Sequence, residues 1–252
     1  MTLFTSCVNP PAIPPAALAD LAPTGKLRVG IMYTNPVLAA RHPASGDLRG
    51  IAVDLARELG RRVNVPVELV GYETTAKMLD GMQAGAWDVA FSAADPAHAE
   101  ISFTAPYIET DGTFLVPAGS ALRTIADVDR TGVRVAVSAK SSLDLNLSRG
   151  LQHARLIRIP GAHAAAELLI SGNADVLAGV RQQLVAVAAK LPGSRVLDGR
   201  FMVIQQALAT PKGRDAGARY LREFIEDVKA SGLVAQTIEK NGIRGASVAP
   251  VN

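Results

Sequence analysis

The chain has 252 residues, enough for one large domain or for two lobes of roughly 100 residues each. Hydrophobic residues make up 48% of the sequence, which makes a packed core possible, so a disordered chain is not the default expectation. The 26 basic and 23 acidic residues are scattered along the sequence, so the concentrated basic face that binds nucleic acid is not expected.

Residues 1–24 are rich in proline and alanine and predict an extended leader, because the residue before a proline disfavours the helical conformation. This segment lacks the basic start and the apolar stretch of roughly 7 to 15 residues that a secretory signal has. The stretch LFTSC is similar to the end of a lipoprotein signal, although only six residues precede Cys7. Either the start is trimmed or the protein stays inside the cell.

Metal, redox and cofactor chemistry are not expected from the sequence. Cys7 is the single cysteine, so there is no internal disulfide and no cysteine-rich zinc site. The four histidines show no metal-ligand spacing, and neither a P-loop nor a G-x-S-x-G nucleophile elbow occurs. No apolar run reaches the roughly 18 to 20 residues that span a bilayer.

An α/β unit is predicted in the first half of the chain, because extended and helical patterns alternate there. In one of its helices Leu55, Leu59 and Val63 recur at helical spacing. The elements of this unit are, in chain order, the strand TGKLRVGIMY (24–33), the helix GIAVDLARELGRRV (50–63), the strand VPVELV (65–70), the helix TTAKMLDGMQAG (74–85) and the strand in GAWDVAFSA (85–93).

The same order of elements recurs in the second half, so the chain contains an internal repeat. Gly85 and Gly172 occupy equivalent places, and each fits the left-handed position past the end of a helix. Each glycine is followed by an Asp-Val pair that begins a strand. The repeated elements are TGVRVAVSAK (131–140), SSLDLNLSRG (141–150), ARLIRI (154–159), AHAAAELLISG (162–172) and GNADVLAGV (172–180).

Two crossings connect the repeats. TDGTFLVPAG (110–119) carries the chain out of the first unit, and GRFMVIQQALATPKG (199–213) carries it back to two terminal helices. The first lobe is interrupted by the second and completed by the C-terminus, so two segments connect the lobes. Two such connections imply a hinge. We therefore predict an extended leader at 1–24, the first part of lobe 1 at 25–116, lobe 2 at 117–207, and the C-terminal completion of lobe 1 at 208–252.

A ligand cleft is expected between the lobes. In open α/β sheets, ligands bind beyond the carboxyl ends of the strands, where helix N-termini point unpaired N–H groups outward. The loops at those ends begin with TNPV after the first strand, SAADPAHAE after GAWDVAF, AKSSLD after RVAV and GVRQQ after DVLA. Tyr33 and Asn35 follow the first strand, where an aromatic wall commonly covers the ligand, although core packing is the alternative for them.

The chain resembles the extracytoplasmic substrate-binding proteins of ABC importers, in the group that includes amino-acid binders. The similar phrases run in order from 25 to 242, and they include LRGIAVDLARELGRRVNVPVELV, MLDGMQAGAWDVAFSAADP, ISFTAPY and AAAELLISGNADVLAGV. The resemblance implies a two-lobed type II periplasmic-binding fold, in which each lobe is a mainly parallel sheet flanked by helices and two crossing strands join the lobes. It also implies a periplasmic monomer that closes over a solute and presents it to a membrane permease.

Three departures from the family pattern affect the expected site. Amino-acid binders commonly carry T-P-x-R after the first Asp-Val strand, and its arginine grips the ligand carboxylate. Here that segment is Asp95-Pro96-Ala97-His98, so His98 is either a substitute contact or a solvated loop residue. The family's aspartate for the ligand ammonium is also missing, and Gly179-Val180-Arg181 occupies that region.

The third departure replaces the family's Gly-Thr-Thr with Lys140-Ser141-Ser142. The serine hydroxyls suit an oxyanion, but either serine is equally an ordinary N-cap. Arg181 opens a helix, which is an unfavourable place for a cation, so we expect it to have a ligand or a carboxylate partner. Gln205 and Gln206 lie on the returning crossing, and at most one should face the cleft.

The predicted function is binding of a small polar or anionic solute, amino-acid-like or an organic acid. An enzyme on this fold, similar to a dehydratase, is the first alternative, with Asp95, His98 and Lys140 as acid or base candidates. A ligand-sensing domain of a receptor is the second. The predicted ligand-binding residues are Tyr33, Asn35, Ser92, Asp95, His98, Lys140, Ser141, Ser142, Gly179, Arg181 and Gln205.

Overall fold

The structure is a computed structural model that describes residues 13–251. In chain order its strands are β1 (Leu27–Met32), β2 (Ala40–Arg41), β3 (Leu48–Arg49), β4 (Val67–Tyr72), β5 (Val89–Ala93), β6 (Ile101–Val116), β7 (Arg134–Ser138), β8 (Arg155–Ile159), β9 (Val176–Val180), β10 (Arg195–Val196), β11 (Met202–Pro211) and β12 (Ser247–Val248). Its helices are α1 (Pro15–Leu21), α2 (Ile51–Val63), α3 (Thr75–Gln83), α4 (Ser142–Gly150), α5 (Ala162–Ile170), α6 (Arg181–Ala188), α7 (Asp215–Ala230) and α8 (Leu233–Lys240), with a short 3-10 turn at Ile125–Val128.

The sheet order confirms the predicted two-lobed α/β architecture. Neighbouring strands follow the order β4-β1-β5-β11-β6-β9-β7-β8. In the first lobe β1 pairs in parallel with β4 and β5, and in the second lobe β7 pairs in parallel with β8 and β9. Between these groups the long strands β6 and β11 run antiparallel to each other and form both crossings. The lobe boundaries after 116 and 207 remain predictions.

Helix α2 shows how the apolar pattern fixes an element against the first lobe. Leu55, Leu59 and Val63 are buried, as their helical spacing predicts. The helix ends at Asn64, whose φ of 54° is left-handed, a conformation that asparagine tolerates better than most residues. Within residues 13–251, no helix is both long enough and apolar enough to cross a membrane.

The predicted extended leader is wrong over Pro15–Leu21, which form helix α1. Pro15 occupies the first helical position, where its fixed φ fits and its missing N–H is not needed, and helix-favouring residues follow it. The helix is held on α7, because the Asp20 carboxylate accepts a hydrogen bond from Gly217 N at 2.9 Å and Leu21 is fully buried. The remaining leader residues 1–12, including Cys7, lie outside the described residues.

The internal repeat has a structural cause in both lobes. Gly85 and Gly172 have φ of 63° and 71°, as predicted for the position past a helix. Arg28 donates to both carboxylate oxygens of Asp88 at 2.8 Å and to the carbonyl of Gly85. Arg134 contacts Asp175 and the carbonyl of Gly172 in the same way. One arginine in the first strand of each unit therefore ties the repeated phrase to the sheet.

Candidate ligand-binding cleft

A cavity lies between the lobes at the carboxyl ends of β1, β5, β7 and β9, the edge that strand order predicts for a ligand. It encloses about 650 Å³, part of which is open to solvent. The returning crossing reaches it, since Ile204 and Gln206 of β11 line its wall. The lining residues are Met32, Thr34, Asn35, Leu38, Glu73, Ser92, Ala93, Ser138, Ser141, Ser142, Leu143, Ala162, Ala178, Gly179, Val180, Gln183, Ile204 and Gln206.

The structure brings five of the predicted site residues to this cavity: Asn35, Ser92, Ser141, Ser142 and Gly179. The Asn35 side chain is buried and accepts a hydrogen bond from Val37 N at 3.1 Å, which holds the loop after β1. A Cβ at Gly179 would lie 2.6 Å from Leu184 Cδ2, so a larger residue there would require the Leu184 side chain of α6 to shift. Their roles in ligand contact stay predictions.

Of the two serines at the start of α4, Ser141 is the N-cap and Ser142 is not. Ser141 is the N-cap, and its hydroxyl accepts from Asp144 N at 3.2 Å and donates to Ser138 O at 2.7 Å. Ser142 is the first helical residue, and its hydroxyl has no hydrogen-bond partner in the described part of the chain. Lys140 is exposed, has a left-handed φ of 62° and does not line the cavity.

Asp95 and His98 also lie away from the cavity lining. Asp95 is buried, and its Oδ1 accepts a hydrogen bond from Ala97 N at 2.9 Å. Its other oxygen lies 3.5 Å from Arg149 Nη2, which belongs to the opposite lobe. His98 Nδ1 lies 3.8 Å from the Glu100 carboxylate. The turn at 95–98 therefore directs the chain into β6 and contacts the other lobe.

Arg181 has the carboxylate partner that its position at a helix start predicts. Its Nε donates to Asp111 Oδ2 at 3.3 Å, and its other nitrogens donate to the carbonyls of Leu197 and Gly199. Arg200 reaches the second oxygen of Asp111 at 3.1 Å. Since Asp111 lies on the crossing strand β6, Arg181 supports the hinge region and does not line the cavity.

Of the two glutamines on β11, the structure places Gln206 and not Gln205 at the cavity. Gln205 is exposed and donates to Glu109 on β6 at 3.1 Å. Gln206 has 1% of its surface exposed, lines the cavity, and its Oε1 has no hydrogen-bond partner within residues 13–251. Successive strand residues point to opposite faces, so the choice depends on a register that the sequence does not reveal.

Two hydrogen bonds connect α6 of the second lobe with segments of the first lobe. Gln183 Nε2, at the start of α6, donates to Thr34 O of the first lobe at 2.7 Å. Its neighbour Gln182 donates to Arg244 O in the C-terminal segment at 2.8 Å. Sequence reasoning named the GVRQQ loop but missed Gln183 as a lining residue. Its position two residues after Arg181, in the first turn of α6, was the available signal.

The cavity carries little charge. Glu73 is the only ionisable side chain among the described lining residues, and it lies exposed at the rim. It forms an ion pair with Lys77, and this hydrogen bond is the main reason that the pKa of Glu73 is lowered. Within residues 13–251, no group of three or more His, Cys, Asp or Glu side chains could hold a metal ion.

Tyr33 borders a second space next to the cavity. This groove of about 870 Å³ shares Thr34, Gly179 and Gln183 with the cavity wall. The guanidinium of Arg41 lies 4.4 Å from the centre of the Tyr33 ring, a distance typical of a cation–π contact. The predicted aromatic wall therefore lies at the outer groove and not around the cavity itself.

Comparison with known proteins now places the chain. The sequence profile of the bacterial extracellular solute-binding proteins, family 3, matches residues 27–242. The chain belongs to this family. The ABC transporter glutamine-binding protein GlnH of Bacillus subtilis (strain 168) is 21% identical to it over 228 residues, which cover 88% of this chain and 83% of that protein.

A second relative and two solved structures are also similar to the chain. The glutamine-binding protein of Geobacillus stearothermophilus is 22% identical over 73% of this chain and 72% of its own length. A mutant of the arginine-binding protein ArgBP from T. maritima superposes with a TM-score of 0.75 at 23% identity, covering 89% of this chain and 98% of that one. The ancestral amino acid-binding protein AncCDT-1, a precursor of cyclohexadienyl dehydratase, gives a TM-score of 0.74 at 23% identity over 88% and 98% of the two chains.

Proposed function

We propose that the protein captures a small polar solute between its lobes outside the cytoplasm and, as a monomer, delivers it to an ABC permease. The buried amide of Gln206 carries this proposal, because Gln206 lines the cavity and its Oε1 is buried without a hydrogen-bond partner among the described residues. A buried polar group without a partner costs free energy, so a ligand that completes it is stabilised in return. Both curated relatives are named as glutamine-binding proteins, which supports binding as the activity.

The contacts across the cleft support capture by closure. Two hydrogen bonds, Gln183–Thr34 and Gln182–Arg244, can form only when the two lobes approach each other. The crossings β6 and β11 are the segments that can bend, since they connect the two groups of parallel strands. An open state would release these hydrogen bonds and admit the solute, and a bound solute would shift the population towards the closed state.

The same cavity supports reversible binding over catalysis. The predicted acid or base candidates Asp95, His98 and Lys140 do not line it. The rim carboxylate of Glu73 is already paired with Lys77. A general acid or base must lie within hydrogen-bond reach of the reacting group, and no described lining residue other than Glu73 is ionisable.

A ligand screen tests the proposal. A solute that binds only the folded state stabilises it by about 2.7 kcal/mol at a hundredfold excess over Kd, so the unfolding temperature should rise clearly. Native mass spectrometry of freshly purified protein should show a co-purified small molecule of the same mass as the hit. Small-angle scattering should show a smaller radius of gyration with the hit than without it.

Delivery is tested separately, by deleting the gene in the source organism and measuring uptake of the identified solute. Uptake should fall and should return when the gene is restored. Silence of a broad library in the thermal screen would contradict solute capture, whereas unchanged uptake with a confirmed ligand would contradict only the delivery step.

A further inference from the structure

We infer that the ligand of this cavity is an uncharged solute bearing amide or hydroxyl groups, and not a zwitterionic amino acid or an organic anion. This inference rests on the proposed solute capture and concerns the chemical class of the solute. It narrows the expectation from sequence, which included anions because His98, Lys140 and Arg181 were expected at the site. None of these three side chains lines the cavity.

The charge of the cavity wall is the first argument. No arginine, lysine, histidine or aspartate is among the described residues that line it. Its one carboxylate, on Glu73, is neutralised by Lys77 at the rim. A carboxylate or ammonium group that leaves water for such a cavity loses its hydration without gaining an opposite charge. An uncharged ligand avoids this loss.

The starts of α4, α5 and α6 border the cavity, and helix N-termini favour anions, so their effect must be weighed. A carboxylate already lies at the start of α4: Asp144 is buried and accepts from Lys140 N at 2.9 Å. Arg158 pairs with this carboxylate at 2.7 Å, so the α4 end carries no free cation. These helix starts still offer N–H donors, and an uncharged carbonyl or hydroxyl oxygen of the ligand can accept hydrogen bonds from them.

The hydrogen-bonding groups of the cavity are the second argument. Oε1 of Gln206 is a buried acceptor without a described partner, and a ligand with an N–H or O–H donor would satisfy it. The free hydroxyl of Ser142 and the side chain of Ser92 add groups that both donate and accept. A purely anionic ligand has no donor for Gln206. Amides and polyols carry donors and acceptors together and match this set.

The apolar part of the wall limits what surrounds these polar groups. Met32, Leu38, Leu143 and Ile204 lie among the polar side chains. A ligand with a short hydrocarbon part between its amide or hydroxyl groups therefore fits both kinds of surface. Because part of the wall is apolar, a bound ligand cannot keep water molecules around all of its atoms.

A charge-matched set of probes tests the class directly. We would measure thermal shift and calorimetric binding with butyramide and erythritol as uncharged probes, butyrate as anion, butylammonium as cation and glutamine as zwitterion, together with larger members of each class. Uncharged probes should raise the unfolding temperature, and the charged classes should not at equal concentration. Binding of glutamine or an anion at least as tight as the best uncharged probe would overturn the inference and leave solute capture intact. Absence of binding in every class would overturn both.

Two variants test the residues behind the inference. Gln206→Met removes the amide but keeps a similar volume, and it should weaken the best uncharged ligand at least tenfold. Gln205→Met is the matched control on the neighbouring, exposed position and should leave the affinity within twofold. Ser142→Ala should weaken binding roughly threefold or more without affecting folding, because its hydroxyl bonds to no other described residue. Unchanged affinity in both Gln206→Met and Ser142→Ala would overturn the inference.

Discussion

Arg149 at the end of α4 lies 3.5 Å from the buried carboxylate of Asp95, and this ion pair joins the two lobes. Its arginine is largely exposed, so the pair should contribute about 0.5 to 1 kcal/mol to the closed state. We expect Arg149→Ala to weaken ligand binding about two- to fivefold and to increase the radius of gyration of the bound form. Calorimetry and small-angle scattering measure the two effects.

The control for this pair is Arg155→Ala, which removes another exposed arginine from the same lobe. It should change neither quantity. Because salt screens exposed charges, the difference between wild type and Arg149→Ala should shrink as ionic strength rises. A difference that is independent of salt would show that Arg149 acts through packing and not through its charge.

Replacing the aspartate by asparagine should lower the free energy of unfolding by different amounts in the two Asp-Val pairs. The Asp88 side chain is fully buried and contacts both Arg28 and Arg214, whereas that of Asp175 is 40% exposed and contacts Arg134. Asp88→Asn leaves two arginines without their shared partner and should cost about 3 kcal/mol of unfolding free energy. Asp175→Asn should cost about 1 kcal/mol, since water replaces the lost charge. Urea unfolding of both variants gives the comparison, and equal costs would contradict it.

Acid should weaken the protein partly through Glu58. Hydrogen bonds from Arg61 and then Arg62 lower the pKa of Glu58 to about 2, against burial, which raises it. A carboxyl whose pKa is lower in the folded state stabilises the fold above its unfolded pKa of about 4.5 and loses this effect as the pH falls towards 2.

Urea unfolding between pH 2.5 and pH 6 measures this effect. Glu58→Gln should lower the free energy of unfolding by about 1 kcal/mol at pH 6 and should lose less stability than wild type on acidification. Glu223→Gln, on an exposed position of α7, is the control and should follow wild type. Parallel acid profiles for wild type and Glu58→Gln would show that the arginine contacts do not stabilise the fold.

Helix α1 should contribute to stability through one side chain. Leu21 is fully buried against α7, where a Cβ on Gly217 would lie 2.9 Å from its Cδ2. Leu21→Ala should cost about 2 to 4 kcal/mol, the range for large-to-small changes in a core. Leu18→Ala, at a half-buried position of the same helix, should cost clearly less. Equal unfolding midpoints for wild type and Leu21→Ala would mean that α1 is not part of the cooperative unit.

Local patterns in the sequence were sufficient to predict two α/β lobes with two crossings, because strand and helix periods, glycine stops and the repeat are all encoded within short segments, whereas the type II fold was implied by the family resemblance. They also placed Asn35, Ser92, Ser141, Ser142 and Gly179 at the cleft, since these residues lie at the carboxyl ends of strands or in the loops that follow them. The pattern of prolines misled the prediction for 15–21, where Pro15 begins a helix.

Two of the misplaced side chains, those of Arg181 and Asp95, have a partner far away in the chain. Arg181 is held by Asp111, 70 positions earlier, and Asp95 lies near Arg149 of the other lobe. Which glutamine of β11 faces the cavity depends on pairing with β5 and on a register shift after Gln206. Such long-range pairings leave no mark in the residues themselves.

The connectivity of the sheet sets an order of assembly during synthesis. Strands β7, β8 and β9 are contiguous in sequence, so the second lobe can form as soon as its own residues have emerged. The first lobe must wait for β11 and α7, although its strands β1, β4 and β5 are made first. In pulsed hydrogen exchange during refolding, the amides of β7 and β9 should therefore gain protection before those of β5, and the reverse order would contradict this view. The part of the chain that is translated first is thus completed last.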